Sequence, residues 1–208
     1  MADARDNAIV DVGVAGLKLP GQLESGDLEI VETISHGMLL GVVDGLGHGA
    51  DAAIAAKEAV KTMISAPDKS VISLVKSCHE ALRNTRGATM SLAVLHNDDD
   101  TMTWLGIGNV EGHLLRANPH STPPPESLLL RSGVVGYILP PLHVTPLPLV
   151  KGDLLVFASD GIRSGFAGSI PSGRDITAQE IAEHLCRHHA KGTDDALVLV
   201  AHYKGNRL

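Results

Sequence analysis

Two stretches of this chain end in the same way. "LLGVVDG" (39–45) and "LLVFASDG" (154–161) are apolar runs without alternation, and each stops at Asp-Gly. A strand that faces water on one side alternates apolar and polar residues. A strand that is apolar throughout needs cover on both faces. The fold must therefore lay other elements over both sides of these two strands, and each strand must end in a carboxylate. Asp-Gly is also a favoured hairpin turn. That reading fits poorly here, because Asp44 leads toward a helix-like stretch and Asp160 toward "IRSGFAGSIPSGR", not toward returning strands.

The remaining elements follow from periodicity. Residues 8–17, 27–34 and 38–45 read as strands; Leu28, Ile30 and Ile34 share one side of the second. From Ala50 the spacing becomes helical, with Ala53, Ala56, Val60 and Met63 on one stripe. A second helix follows Pro67, with Ser70 as N-cap and Val71, Leu74, Val75, Cys78 and Leu82 apolar. Strands return at 88–96, 101–109 and 112–118, and "NDDD" (97–100) reads as a solvated hairpin loop. Residues 119–148 hold eight of the eleven prolines and read as an exposed loop, since proline has no N–H to give a sheet. A strand over 152–161, a helix opened by a Thr177/Glu180 capping box and running to about Ala190, and a strand over 195–203 complete the chain.

Helices are grouped here and do not alternate with strands. That order predicts an α+β fold with antiparallel sheet. The 208 residues fit one domain, 1–208.

Composition excludes several roles. A net charge of −7 disfavours nucleic acid and anionic membrane surfaces, which both need clustered Lys and Arg. Cys78 and Cys186 stand far apart, so neither a disulfide framework nor a zinc ribbon is expected. No apolar run approaches the roughly 20 residues of a membrane span. The expectation is a cytoplasmic protein.

Besides Asp44 and Asp160, acidic residues precede strands at Asp27, closing "ESGD", and at Asp194-Asp195. If these strands are neighbours, the carboxylates converge and need a cation between them. Oxygen-only donors suit Mg²⁺ or Mn²⁺, and Gly45 could offer its carbonyl at close range. If the strands are not neighbours, these are separate strand-end aspartates. Spacing alone leaves both readings open.

An ordered set of short words bears on that choice: "SGD" (25–27), "VVDGLGHG" (42–49), "RGATMSLAV" (86–94), "GIGNV" (106–110), "FASDGI" (157–162) and "TDDALVLV" (193–200). Together they resemble the metal-dependent Ser/Thr protein phosphatases of the PPM (type 2C) superfamily, in its compact bacterial SpoIIE-like branch. The resemblance implies a four-layer αββα sandwich, two antiparallel sheets flanked by helices, with two divalent cations (Mn²⁺ or Mg²⁺) at one edge. It implies that Asp44 bridges the ions and that Gly45 adds its carbonyl. Asp160 and Asp194 hold the first ion, and Asp27 acts near the second. Asp44, Asp160 and Asp194 are then the catalytic carboxylates. The implied reaction is attack of metal-bound water on phosphoserine or phosphothreonine. The implied partners are phosphorylated STAS-domain and stressosome proteins of bacterial stress signalling. The alternative is a catalytically weak phosphatase-like binding module in a partner-switching pathway.

The sequence also departs from the family. Larger members carry a phosphate-gripping arginine ahead of the first acidic motif, whereas residues 15–26 here offer only Lys18. Leu46 stands where those members have a histidine after Asp-Gly, and His48 reads as a loop residue. Arg86 and Thr89 are expected to fix a turn and strand start, Asn109 to bond nearby backbone, and Trp104 to lie in the core. His184, His188 and His189 with Cys186 crowd one helix and read as a solvent face more readily than as a zinc site.

Overall fold

The computed structural model describes residues 9–118, 122–171 and 176–205. Residues 119–121 of the proline-rich stretch and Ala8 of the first expected strand lie outside that set. Eleven strands are described: β1 (Val10–Leu17), β2 (Asp27–Ile34), β3 (Gly37–Gly45), β4 (Ala88–His96), β5 (Thr101–Ile107), β6 (Glu111–Leu115), β7 (Glu126–Ser127), β8 (Leu130–Arg131), β9 (Leu147–Pro148), β10 (Leu154–Ala158) and β11 (Ala196–Tyr203). Three α-helices accompany them: α1 (Ala50–Ile64), α2 (Val71–Ala81) and α3 (Ala178–His189).

One sheet runs β1-β11-β10-β6-β7, and the other β2-β3-β4-β5-β8 with β9 also pairing with β5. Pairing is antiparallel except for the short β5–β8 contact. The apolar runs are explained by three buried layers. In β3, Leu39 and Val43 pack under α1 and α2, while Leu40 and Val42 face the opposite sheet. In β10, Leu155 and Phe157 join that central layer, and Val156 and Ala158 pack toward α3. β11 divides likewise, with Leu197, Leu199 and Tyr203 inward and Val198 and Val200 under α3. The architecture is thus the four-layer α+β sandwich, and Trp104 lies in its central layer.

Local signals act where expected. The Ser70 hydroxyl accepts from Ser73 N–H at 3.3 Å, and Thr177 and Glu180 form a reciprocal capping box. The proline-rich stretch is a correction. It contains β7, β8 and β9, and it buries Leu128 and Val135. Its anchor is Arg116. The guanidinium donates to Asp153 Oδ2 at 2.8 Å, to the Pro148 carbonyl at 2.7 Å and to the Pro124 carbonyl at 3.2 Å. Both partners of the Arg116–Asp153 pair are only 1% exposed. Of the three strands only β9 contains a proline, Pro148, and it pairs with β5 alone, an edge position that tolerates a missing N–H. Among the described residues no helix is long and apolar enough to cross a membrane.

Candidate metal centre

The register of β2 and β3 sets Asp27 directly opposite Asp44. On the other side of β3, Asp44 faces Thr89 and Gly45 faces Ala88. Gly45 N–H donates to the Gly26 carbonyl at 3.0 Å. A Cβ on Gly45 would stand 2.1 Å from the Ala52 carbonyl oxygen, so α1 rests directly on this glycine. In the second sheet, Asp160 follows β10. A Cβ on Gly161 would stand 1.8 Å from the Asp195 carbonyl oxygen. Both Asp-Gly pairs are therefore strand ends pressed against other backbone, not hairpin turns.

The carboxylates sense one another. Asp27 is 5% exposed, and its Oδ2 has no hydrogen-bond partner. Burial pushes its pKa up to about 7; a hydrogen bond with Ser159 opposes this, and Asp195, Asp160 and Asp194 add to it. Asp44 is pushed up to about 8, first by burial and then by Asp27, Asp160, Asp194 and Asp195. A buried, unpaired charge costs several kcal/mol, by the order of magnitude of its desolvation. Such groups take up a proton or a cation.

Among the described residues no group of three or more His, Cys, Asp or Glu side chains is arranged to hold a metal ion. The two findings concern different ranges. Repulsion falls only as the inverse of distance, whereas coordination needs oxygens within about 2.0–2.6 Å of one point. The carboxylates are neighbours without being a finished cage. The donor chemistry nevertheless fits a hard dication: the donors are all oxygens, one buried carboxylate oxygen has no partner, and glycines keep side chains away from the Gly45 backbone.

Asp194 and Asp195 divide their work. Asp195 accepts Leu19 N–H at 2.8 Å on one oxygen and Gly26 N–H at 2.7 Å on the other. Both its oxygens hold the loop that leads into Asp27. Asp194 is less buried and accepts Asp195 N–H at 2.9 Å on Oδ1.

Four further residues touch these groups. Asn109 Nδ2 donates to Asp160 Oδ2 at 2.6 Å, and Thr89 Oγ1 donates to Asn109 Oδ1 at 2.6 Å. Asn109 thus bonds side chains, not backbone as the sequence suggested. Lys191 Nζ donates to the Asp160 carbonyl. Ser159, just before Asp160, lies close enough to Asp27 to lower its pKa, and its Oγ accepts Leu197 N–H at 2.9 Å. Each of the four lies inside or beside a quoted word, "RGATMSLAV", "GIGNV", "FASDGI" or "TDDALVLV", yet only packing shows what it touches.

The other candidates separate from this centre. Lys18 Nζ donates to the Leu23 carbonyl at 2.9 Å. His48 is exposed. The His184 and His188 rings stack at 4.2 Å on the exposed side of α3, and His188 bonds the His184 carbonyl.

The model of the Stage II sporulation protein E (SpoIIE) family matches residues 35–204. Phosphoserine phosphatase RsbX of Bacillus subtilis (strain 168) is 27% identical over 113 residues, 53% of this chain and 55% of RsbX. The match spans about half the length of that relative. A chain solved in work on the bacterial stressosome, a modular system adapted to control secondary messenger signalling, superimposes with a TM-score of 0.84 at 28% identity, covering 92% of this chain and 98% of that one. RsbX in complex with magnesium gives a TM-score of 0.81 at 21% identity, covering 92% and 94%. The PP2C phosphatase domain of SpoIIE from Bacillus subtilis, with a fragment of its regulatory domain, gives 0.75 at 24%, covering 96% and 64%. The last two show a shared fold.

Proposed function

The chain belongs to the SpoIIE family, in the RsbX branch of the PPM-type serine/threonine phosphatase fold, and from that premise we propose that it is a divalent-metal-dependent protein phosphatase. Its substrates are phosphoserine and phosphothreonine in stress-signalling proteins of the STAS-domain, stressosome type. The reading takes the chain as one domain working in the cytoplasm.

One observation carries it: Asp27 Oδ2 is buried without a partner, opposite Asp44 and within electrostatic reach of Asp160 and Asp194. In this reading Asp44, Asp160 and Asp194, with the Gly45 carbonyl and Asp27, hold two Mg²⁺ or Mn²⁺ ions. Bound there, the ions would lower the pKa of water and offset charge on the phosphoryl oxygens. The chain's own residues prepare the site. Asn109 and Lys191 orient Asp160 through its carboxylate and its carbonyl. Asp195 fixes the loop that delivers Asp27. Ser159 Oγ accepts Leu197 N–H at 2.9 Å and so fixes the turn that carries Asp160 against β11. Leu46 gives the centre an apolar neighbour in place of an ionisable one.

The test is phosphate release from p-nitrophenyl phosphate and from a phosphorylated STAS-domain protein with Mn²⁺. Activity that survives EDTA, or Asp160→Asn, overturns the reading. A second reading, a weak phosphatase-like binding module, draws support from Lys18, whose ammonium is engaged by the Leu23 carbonyl. Tight partner binding by calorimetry without Mn²⁺-dependent hydrolysis would favour it.

A further inference from the structure

A cleft beside the acidic centre has no part in holding the ions. Leu46, Arg86, Val134 and Tyr137 line it, with a volume of about 430 Å³. Leu46 directly follows Asp44-Gly45, and its N–H donates to the Gly87 carbonyl at 3.0 Å. The facing wall is a tight turn, residues 134–138, closed by pairing of Val134 with Ile138. That turn is fastened to the centre's own strand. Ala88, opposite Gly45, exchanges both backbone hydrogen bonds with Val135, at 3.0 and 2.9 Å. Gly136 N–H adds a bond to His79 Nδ1 at 3.0 Å. Gly87, at φ +78°, makes room between the walls; a Cβ there would meet Val134 Cγ1 at 2.8 Å and the Tyr137 ring at 3.0 Å. Ladder hydrogen bonds thus hold the cleft in fixed relation to Asp44.

The lining is apolar with one cation. Tyr137 is 62% exposed, its hydroxyl donating to the Thr85 carbonyl at 3.3 Å, and its neighbour Ile138 is 71% exposed, so the rim of the cleft presents apolar surface to solvent. Arg86 is the one charged lining residue. It pairs with Asp51 at 2.7 Å, both side chains half-exposed or more. A solvated pair of this kind is worth at most about 1 kcal/mol, so an incoming carboxylate displaces Asp51 readily. The Arg86 guanidinium lies over Gly47, three residues along from Asp44. Three residues of chain span at most about 10 Å, a distance that a short stretch of bound peptide covers.

We propose that this cleft seats the polypeptide flanking the phosphorylated residue, an apolar side chain against Leu46, Val134 and Tyr137 and an acidic neighbour facing Arg86. The proposal rests on the phosphatase reading and names what selects its substrate. A bare phosphoester has no use for an apolar wall beside the acidic centre, whereas the side chain of a flanking peptide residue reaches it.

The test is fluorescence polarisation with labelled peptides that carry a non-hydrolysable phosphonate in place of phosphoserine. A peptide with Leu three residues from the phosphonate binds wild-type protein about tenfold tighter than its Gly counterpart, the scale of one buried anchor. Tyr137→Ser abolishes that preference, and Tyr137→Phe, which keeps the ring, retains it. Arg86→Gln abolishes the preference for an acidic neighbour. Each variant must keep the wild-type circular dichroism spectrum. Equal binding of Leu and Gly peptides by the wild type, or a preference that survives Tyr137→Ser, overturns the proposal. Hydrolysis of the parent phosphoserine peptide is measured separately. No Mn²⁺-dependent turnover with the peptide preference intact would overturn the phosphatase reading alone.

Discussion

Asn109 donates to Asp160 at 2.6 Å and itself accepts from Thr89 at 2.6 Å, so a short hydrogen-bonded chain leads from one sheet to the strand end of the other. Thr89 lies opposite Asp44 on β4. The two Asp-Gly ends are thereby set in register through a third residue.

Asn109→Ala removes the donor that fixes one Asp160 oxygen. Outer partners of metal-holding groups contribute about 10–100-fold in affinity. Mn²⁺ binding to Asn109→Ala, read by calorimetry, is expected to weaken by about that factor with little change in melting temperature. Unchanged affinity would show that the bond is incidental.

Asp27 and Asp44 give the metal-free protein a pH dependence with a definite sign. Their folded pKa values, about 7 and about 8, lie above the usual 3.8. Between those limits the unfolded chain is already ionised while the folded one still holds protons. Stability is therefore greatest below about pH 4 for these groups and falls as pH rises toward 8. In EDTA the melting temperature is expected to drop by about 5 °C or more from pH 5.5 to 8.5. Asp27→Asn should flatten the curve.

Asp153→Asn leaves the buried Arg116 guanidinium with only the longer contact to Glu126, at 3.4 Å, to balance its charge. Breaking such a pair costs about 3–5 kcal/mol, whereas replacing both partners by apolar residues costs less. Urea unfolding of Asp153→Asn, set beside Arg116→Met/Asp153→Leu, measures the difference. A loss under about 1 kcal/mol in the single variant would show the pair to be solvated in practice.

Gly161→Ala forces a methyl into the Asp195 backbone, where its Cβ would stand 1.8 Å from the carbonyl oxygen. Overpacking costs about 1–3 kcal/mol when side chains can yield, and backbone yields less. The variant is expected to lose more than that in urea unfolding, and to lose Mn²⁺ affinity because Asp160 and Asp194 flank the displaced segment. Wild-type behaviour would mean that the strand ends are looser than drawn.

Much of this was legible in the residues. The unalternating runs at 39–45 and 154–161 announced strands covered on both faces, and the caps at Ser70 and Thr177 placed two helices within a residue. Asp44 and Asp160 stood out because each closes an apolar run, Asp27 and Asp194-Asp195 because they precede strands, and only the family resemblance singled out Asp194 from its neighbour. The proline-rich segment misled, since β7 and β8 fall between its prolines and β9 lies at a sheet edge, where a missing N–H is tolerated. Arg116 holds the segment down, and a contact between residues 32 apart leaves no local trace. Asn109 was hidden for the same reason: its partner Asp160 lies 51 residues away.

The strand order β1-β11-β10 bears on how this protein is born. A ribosome emits the chain in one direction, and neighbours β2 through β5 appear consecutively, able to zip as they emerge. β11 lies between β1 and β10 in the other sheet and emerges after both strands it must join. Until it arrives, β1 and β10 both expose bare edges, and Asp194 has no platform. Nascent protein short of residue 196 therefore lacks the strand that joins β1 to the rest of its sheet, and the acidic edge is assembled only with that final insertion.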